Sequence, residues 1–236
     1  MTNMNTDTIR KSINNKPIEE RLEIISRQFP GKCIFTTSFG LEDQVITDYI
    51  FSNNLPIRVV TLDTGRMFKE TYKAFSRTRD RYNKNIEVFF PKTEAVQNLM
   101  TEKGPYSFYE SVENRKECCG IRKVEPLRRA LKGMECWITG IRRDQNENRH
   151  DMHELEWDDG YGMYKMNPLV DWTLDDVEAR IRDKNIPYNT LFDKGFVSIG
   201  CAPCTRAIEP GEDFRAGRWW WEQSSGKECG LHTHGK

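Results

Sequence analysis

The sequence predicts one α/β domain built on a parallel, twisted sheet with helices on both faces. Short β-rich runs alternate with helical patterns along most of the chain, the arrangement of βαβ units. Three of those runs end in turns of small and polar residues: Ser38-Phe39-Gly40, Asp63-Thr64-Gly65 and Thr139-Gly140. Open parallel sheets bind ligands at such strand ends, near a topological switch point. The length, 236 residues, has room for one such domain with a functional tail. We draw the domain over residues 17–210 and the tail over 211–236.

Each element has its own signal. Pro17 to Phe29 carries Ile18, Leu22, Ile25 and Phe29 at helical spacing. Lys32 to Ser38 is a β-rich run, followed by a turn and a helix through Val45, Ile46 and Ile50. Ile57 to Leu62 forms a second strand, Lys69 to Arg81 a helix, and Ile86 to Phe90 a third strand. Thr93 to Met100 is helical, and Cys136 to Gly140 reads as a fourth strand. His150 to Tyr164 is acidic and loop-like. Thr173 to Arg182 forms a short helix, with Thr173 and Asp176 in capping-box positions. After Pro210 the chain turns to glycine, charge and aromatics without periodicity.

Charge excludes some functions. Lys plus Arg equals 36 and so does Asp plus Glu, which argues against a general grip on nucleic acid. An anion site must therefore be built from a few placed cations. No apolar run approaches the roughly 20 residues a bilayer span needs. Met1 to Lys16 is polar, with no apolar signal core. A cytoplasmic protein is expected, without membrane partners. In that reducing compartment, seven cysteines point to metal or thiol chemistry rather than to disulfides.

The strongest local signal is Cys118-Cys119 together with Cys201-Ala202-Pro203-Cys204. Four thiols in two groups suit either a zinc site or a [4Fe–4S] cluster. Adjacent cysteines point in different directions, which favours the larger cluster, where each thiolate takes its own iron. Cys33 and Cys136, within strands, read as core. Cys229 lies in a polar segment, where Lys227 and His232 favour its reactive thiolate.

Ser38-Phe39-Gly40-Leu41-Glu42-Asp43 follows a strand and opens a helix, where backbone N–H groups hold phosphate. It lacks the Walker pattern, which disfavours a kinase-like NTPase. Arg122, Lys123, Arg142, Arg143, Arg149, Arg206, Arg215 and Arg218 recur near strand ends and cysteines, and arginine suits bidentate contact with phosphate or sulfate. Lys123, four residues after Cys119, is brought near the thiols if the four gather. Trp219-Trp220-Trp221 reads as a partner surface, an adenine stack or a pin between tail and body. His150 and His153 read as surface.

Together these motifs resemble the assimilatory adenylyl-sulfate reductases of bacteria, in the APS/PAPS reductase family. The resemblance rests on Cys-Cys-Gly-Ile-Arg-Lys (118–123), Cys-Ala-Pro-Cys-Thr-Arg (201–206), Gly-Arg-Trp-Trp-Trp-Glu (217–222) and Glu-Cys-Gly-Leu-His (228–232). Ser-Phe-Gly-x-Glu-Asp (38–43) and Leu-Asp-Thr-Gly-Arg-x-Phe-x-Glu-Thr (62–71) belong to the same pattern. It implies a Rossmann-like fold of the PP-loop, adenine nucleotide alpha-hydrolase type. Cys118, Cys119, Cys201 and Cys204 would ligate a [4Fe–4S] cluster, and Cys229 would be the nucleophile. Ser38, Gly40, Leu62, Thr64, Gly65 and Gly140 would hold the nucleotide. Lys123, Arg149, Arg215, Arg218 and His232 would surround its phosphate and sulfate. One departure is that Gln145 is followed by Asn146 and a shortened loop, where the family usually has serine.

The implied reaction reduces adenosine 5′-phosphosulfate (APS) to sulfite and AMP, in sulfate assimilation and cysteine biosynthesis. The Cys229 thiolate takes the sulfonyl group and AMP leaves. Reduced thioredoxin or glutaredoxin then releases sulfite. A homo-oligomer is compatible with the sequence. The alternatives are reduction of the 3′-phosphorylated nucleotide, PAPS, alone or alongside APS, and more distantly an ATP pyrophosphatase or tRNA-thiolating enzyme of the same fold. That last class expects Ser-Gly-Gly-x-Asp-Ser where this chain has Ser38 to Asp43.

Overall fold

The computed structural model describes residues 2–145 and 151–222. Its centre is a sheet of β1 (Cys33–Thr37), β2 (Arg58–Leu62), β3 (Glu87–Phe89), β4 (Cys136–Ile138), β5 (Leu155–Asp158) and β6 (Met163–Met166). Their order across the sheet is β3-β2-β1-β4-β6-β5. All neighbours run parallel except the edge pair β5 and β6. The chain steps from β1 to β2 and β3 on one side, then returns to lay β4 on the other. The C-terminal ends of β1 and β4 thus flank the switch point, where a crevice opens.

Helices α2 (Ile18–Gln28), α3 (Leu41–Ser52), α4 (Lys69–Tyr82) and α5 (Thr93–Lys103) occupy the stretches where helical spacing predicts them. Helix α3 is buried along almost its whole length, including Glu42, Asp43, Gln44, Thr47 and Asp48. Several of its polar side chains are bonded internally, although Gln44 Oε1 is buried without a partner. Gln44 donates to Thr78 Oγ1 at 2.7 Å, and Arg180 donates to Asp48 at 3.1 Å.

Three regions differ from expectation. The polar N-terminus forms a helix, α1 (Thr2–Ile13), because Ile9 and Ile13 reach the core. The tandem cysteines end a helix, α6 (Val112–Cys119), which continues through a π turn at Gly120–Val124 into α7 (Glu125–Leu131). The acidic stretch expected as a loop contains the hairpin β5–β6. Its acidic residues are not all solvated: Glu156 pairs with buried Lys165 directly across the hairpin at 3.5 Å. Tertiary burial there overrides local polarity. The last helix, α8 (Leu174–Asp183), carries the expected reciprocal cap: Thr173 N–H donates to Asp176 at 2.8 Å, and Asp176 N–H to Thr173 at 3.2 Å. Among the described residues no helix is long and apolar enough to cross a membrane.

Candidate active site

At the end of β1 the backbone turns sharply into α3. Phe39 adopts a left-handed conformation, φ 62°, uncommon for an aromatic residue. Burial of its ring against Phe75, 5.1 Å between centroids, holds that conformation. Asp43, in the first turn of α3, accepts from Ser38 N–H at 2.6 Å and from Ser38 Oγ at 2.8 Å. A side chain at Gly140 would place its Cβ 2.2 Å from Asp43 Oδ1, so the end of β4 approaches this turn only as glycine. Burial pushes the Asp43 carboxyl up to about 6, against the lowering effect of the Ser38 hydrogen bonds. Beside it, Glu42 accepts from Arg142 Nε at 2.8 Å and from Gln145 Nε2 at 2.9 Å.

The crevice beside this turn holds a cavity of about 240 Å³. Its polar lining includes Ser38, Gly40, Glu42, Asp43, Gly140 and Gln145, and its cations are Lys123, Arg215 and Arg218. Arg218 is 6% exposed and lies over Trp219, 4.9 Å from the ring centroid. Its Nε has no hydrogen-bond partner, and no carboxylate among the described residues pairs with it. Gly200 makes room for it, since a Cβ there would lie 2.3 Å from Arg218 Nη2. A buried guanidinium without a counter-charge is costly unless an anion arrives.

Lys123 also lines a second, smaller cavity of about 20 Å³. Arg115, Cys118, Cys119, Arg122 and Lys123 reach it from one helix face, at positions i, i+3, i+4, i+7 and i+8. Cys201 and Cys204 reach it from a tight turn in which Cys204 N–H donates to Cys201 O at 2.9 Å. Thr64 Oγ1 lies 3.2 Å from Cys201 Sγ, and Phe108, Cys118, Cys204 and Trp219 pack together beside it. None of the described cysteines forms a disulfide. Burial pushes the Cys204 thiol up to about 12, and the neighbouring Cys201 and Cys119 add to the rise. Burial also raises Cys118. Among the described residues, no three His, Cys, Asp or Glu side chains converge as ligands of a single metal ion.

The cations here are unevenly compensated. Arg115 forms a buried two-point bridge to Glu222, at 2.7 and 2.9 Å. Arg122, also buried, donates to Thr64 O at 2.7 Å, leaves its Nε without a partner and has no carboxylate among the described residues.

The family model for the phosphoadenosine phosphosulfate reductase domain matches residues 32–207, which include both cavities' strand ends and all four clustered cysteines. This chain belongs to that family. A protein of Burkholderia cepacia named adenosine 5′-phosphosulfate reductase is 49% identical over 90% of this chain and 86% of its own length. One of Sinorhizobium fredii with the same name is 44% identical over 99% and 94%. The crystal structure of the phosphoadenylyl-sulfate reductase of Candida auris superposes with a TM-score of 0.75 at 29% identity, covering 87% of this chain and 98% of that one. An FMN adenylyltransferase of Candida glabrata, TM-score 0.56 at 16% identity over 97% and 78%, shares the fold alone.

In this reductase-family chain, Ser38, Gly40, Leu62, Lys123, Gly140, Arg215 and Arg218 line one cavity. Thr64 and Gly65 do not line it. They face the cysteine side, where Thr64 meets Cys201 and Gly65 lies against Arg122. Cys118, Cys119, Cys201 and Cys204 line the second cavity. Arg149, Cys229 and His232 lie outside the described residues. Other cations are committed elsewhere: Arg142 to Glu42 and Asp144, Arg143 to Asp171, and Arg206 to Glu212. Sequence reasoning missed Asp43 as the residue that fixes Ser38, although it stands in the same motif. It also missed Trp137 and Gln145 in the cavity wall and Arg66 beside the cysteines. Arg66 and Gln145 stand in stretches that the family resemblance marks, whereas nothing local marks Trp137, which arrives on β4.

Proposed function

We propose that this chain reduces adenosine 5′-phosphosulfate to sulfite and AMP, as the names of its relatives indicate for those proteins, in the service of sulfate assimilation. The observation that carries the reading is the junction of the two cavities. Lys123 lines both, and Arg218, buried with no carboxylate partner among the described residues, lines the larger with it. Those cations suit a phosphosulfate, and the Ser38 turn with the wall of β4 suits the nucleoside.

The donor set of the smaller cavity fits a [4Fe–4S] cluster. Four cysteines face it with none in a disulfide, burial raises the Cys118 and Cys204 thiols, and Arg122 awaits a negative charge. Cys118, Cys119, Cys201 and Cys204 would hold the cluster, which would supply a compact negative charge beside Lys123 and Arg122. Lys123, Arg215 and Arg218 bind the phosphosulfate oxygens and stabilise the charge that develops on the AMP phosphate. The Cys229 thiolate attacks the sulfate sulfur. An S–S bond forms, the S–O bond to phosphate breaks, and AMP takes the electron pair. Arg149 and His232 join this cation set by family resemblance. A thiol of reduced thioredoxin or glutaredoxin then attacks Cys229 Sγ, and sulfite leaves with the bonding pair. This chemistry suits the reducing cytoplasm.

Reduction of PAPS is the second reading, favoured by the likeness to the Candida auris enzyme. Against it, Glu42 and Asp43 line the cavity, where an added phosphate would meet carboxylates. The test compares APS and PAPS in the absence of any thiol donor. APS should leave the mass of one SO₃ on Cys229 and release one AMP, and Cys229→Ser should do neither. Faster modification by PAPS would favour the second reading; modification of another cysteine would overturn the mechanism.

A further inference from the structure

The outer wall of the cysteine cavity carries a patch of exposed aromatic and sulfur-bearing side chains that the proposed chemistry leaves unused. Tyr106 is 63% exposed, Trp220 41%, Met100 39% and Tyr109 37%. They are contiguous. Tyr106 stacks on Tyr109 at 6.2 Å, and Tyr109 meets Trp220 at 6.1 Å. Arg66 links Met100 to the same surface through Phe108, over whose ring it lies at 5.0 Å. The patch is firmly backed, because Tyr109 Oη donates to Pro203 O at 2.6 Å inside the Cys201–Cys204 turn. Large exposed aromatics grouped on a rigid support mark a protein interface.

We infer that this patch docks the protein dithiol that discharges Cys229. The inference rests on the reading above, in which Cys229 carries an S-sulfonate. Chain length selects the occupant. Trp220 and Trp221 stand immediately before Glu222, and Cys229 follows Glu222 by seven residues. Even fully extended, the nine residues from Trp220 keep Cys229 within about 32 Å of that patch residue. A partner seated here is therefore within reach of the sulfur it must attack. The partner needs two thiols. The first attacks Cys229 Sγ, forming a mixed disulfide and expelling sulfite with the electron pair of the S–S bond to SO₃. The second attacks its neighbour's sulfur, returning Cys229 as thiolate and leaving the partner oxidised to a disulfide. A second copy of this chain would bring only its own tail cysteine and could not regenerate Cys229.

The experiment uses full-length protein, reduced thioredoxin as the probe and dithiothreitol as a small dithiol that needs no docking. In Trp220→Ala and Tyr106→Lys, KM for thioredoxin should rise at least tenfold. S-sulfonate formation from APS and turnover with dithiothreitol should stay within twofold of the parent. Tyr106→Lys, at the most exposed position, keeps the test open if the tryptophan change disturbs folding. An unchanged thioredoxin KM in Tyr106→Lys would overturn the inference. So would conversion of an oligomeric parent to monomers with no change in that KM, which would make the patch a self-interface. A parent protein that forms no S-sulfonate on Cys229 would instead sink the underlying reaction.

Discussion

The Ser38 turn and the cation and cysteine region that it faces are built on opposite electrostatic plans. Around the Ser38 turn, nearly every charge is answered within the protein. Asp43 is held by Ser38, and Glu42 by Arg142 and Gln145, so the turn keeps its shape without a ligand. Where that turn gives way to the cations and cysteines, Arg122 beside the thiols and Arg218 in the larger cavity are buried with no carboxylate partner among the described residues, and burial raises the Cys118 and Cys204 thiols. One region is finished by the fold. The other is left with positive charge that a bound anionic group would complete. A binding surface can thus be preformed, while the electrostatics of the chemical step wait for what is bound.

The largest effect should come from the unfinished side. Cys118→Ser, Cys119→Ser, Cys201→Ser and Cys204→Ser should each lower iron and acid-labile sulfide and abolish turnover. Cys33→Ser and Cys136→Ser, on neighbouring core strands, should leave iron content nearly unchanged. Stoichiometric zinc without iron in the native protein would break the contrast.

A smaller effect is expected where the two plans meet. Lys123→Ala or Arg218→Ala should weaken APS turnover by more than tenfold, about 1.4 kcal/mol or more of transition-state stabilisation. Arg128→Ala, exposed on α7, should do little. Equal losses at all three positions would indicate general destabilisation rather than a placed cation set.

The smallest effect tests the finished side. Asp43 has a carboxyl raised from 3.8 to about 6 in the folded protein, so between those values the native state holds a proton that the unfolded chain has released. Its ionisation therefore costs stability as pH rises through that window, on the order of a few kcal/mol, and the cost is constant above about pH 6. Asp43→Asn should melt higher than the parent, with an advantage that grows from pH 4 to 6 and then levels. Its KM for APS should rise because Ser38 loses its charged acceptor. An advantage independent of pH would show that Asp43 is not the titrating group.

Much of this was legible in the chain. Helices α2 to α5 and α8, and strands β1 to β4, follow from periodicity and turn chemistry, since each buries one face or one apolar run. The hairpin β5–β6 was hidden because Glu156 and Lys165 answer each other only after pairing. Helix α1 was hidden because two isoleucines in a polar segment acquire meaning only from the core they meet.

The sequence by itself determined the parallel α/β architecture, the family and the chemical types at the site: clustered thiols, an SFG turn before a helix, scattered arginines. Those are properties of residue type and short-range spacing. Only the tertiary structure decided which arginines are spent on carboxylates and which stay buried with no carboxylate among the described residues. It also decided that Thr64 and Gly65 face the cysteines rather than the larger cavity, and that Lys123 belongs to both sites. Pairing and desolvation depend on neighbours distant in the chain: Arg142 meets Glu42 across 100 residues, and Arg122 meets Thr64 across 58. No local pattern encodes those distances, because they are set by the packing of strands and turns that close contacts far apart in sequence.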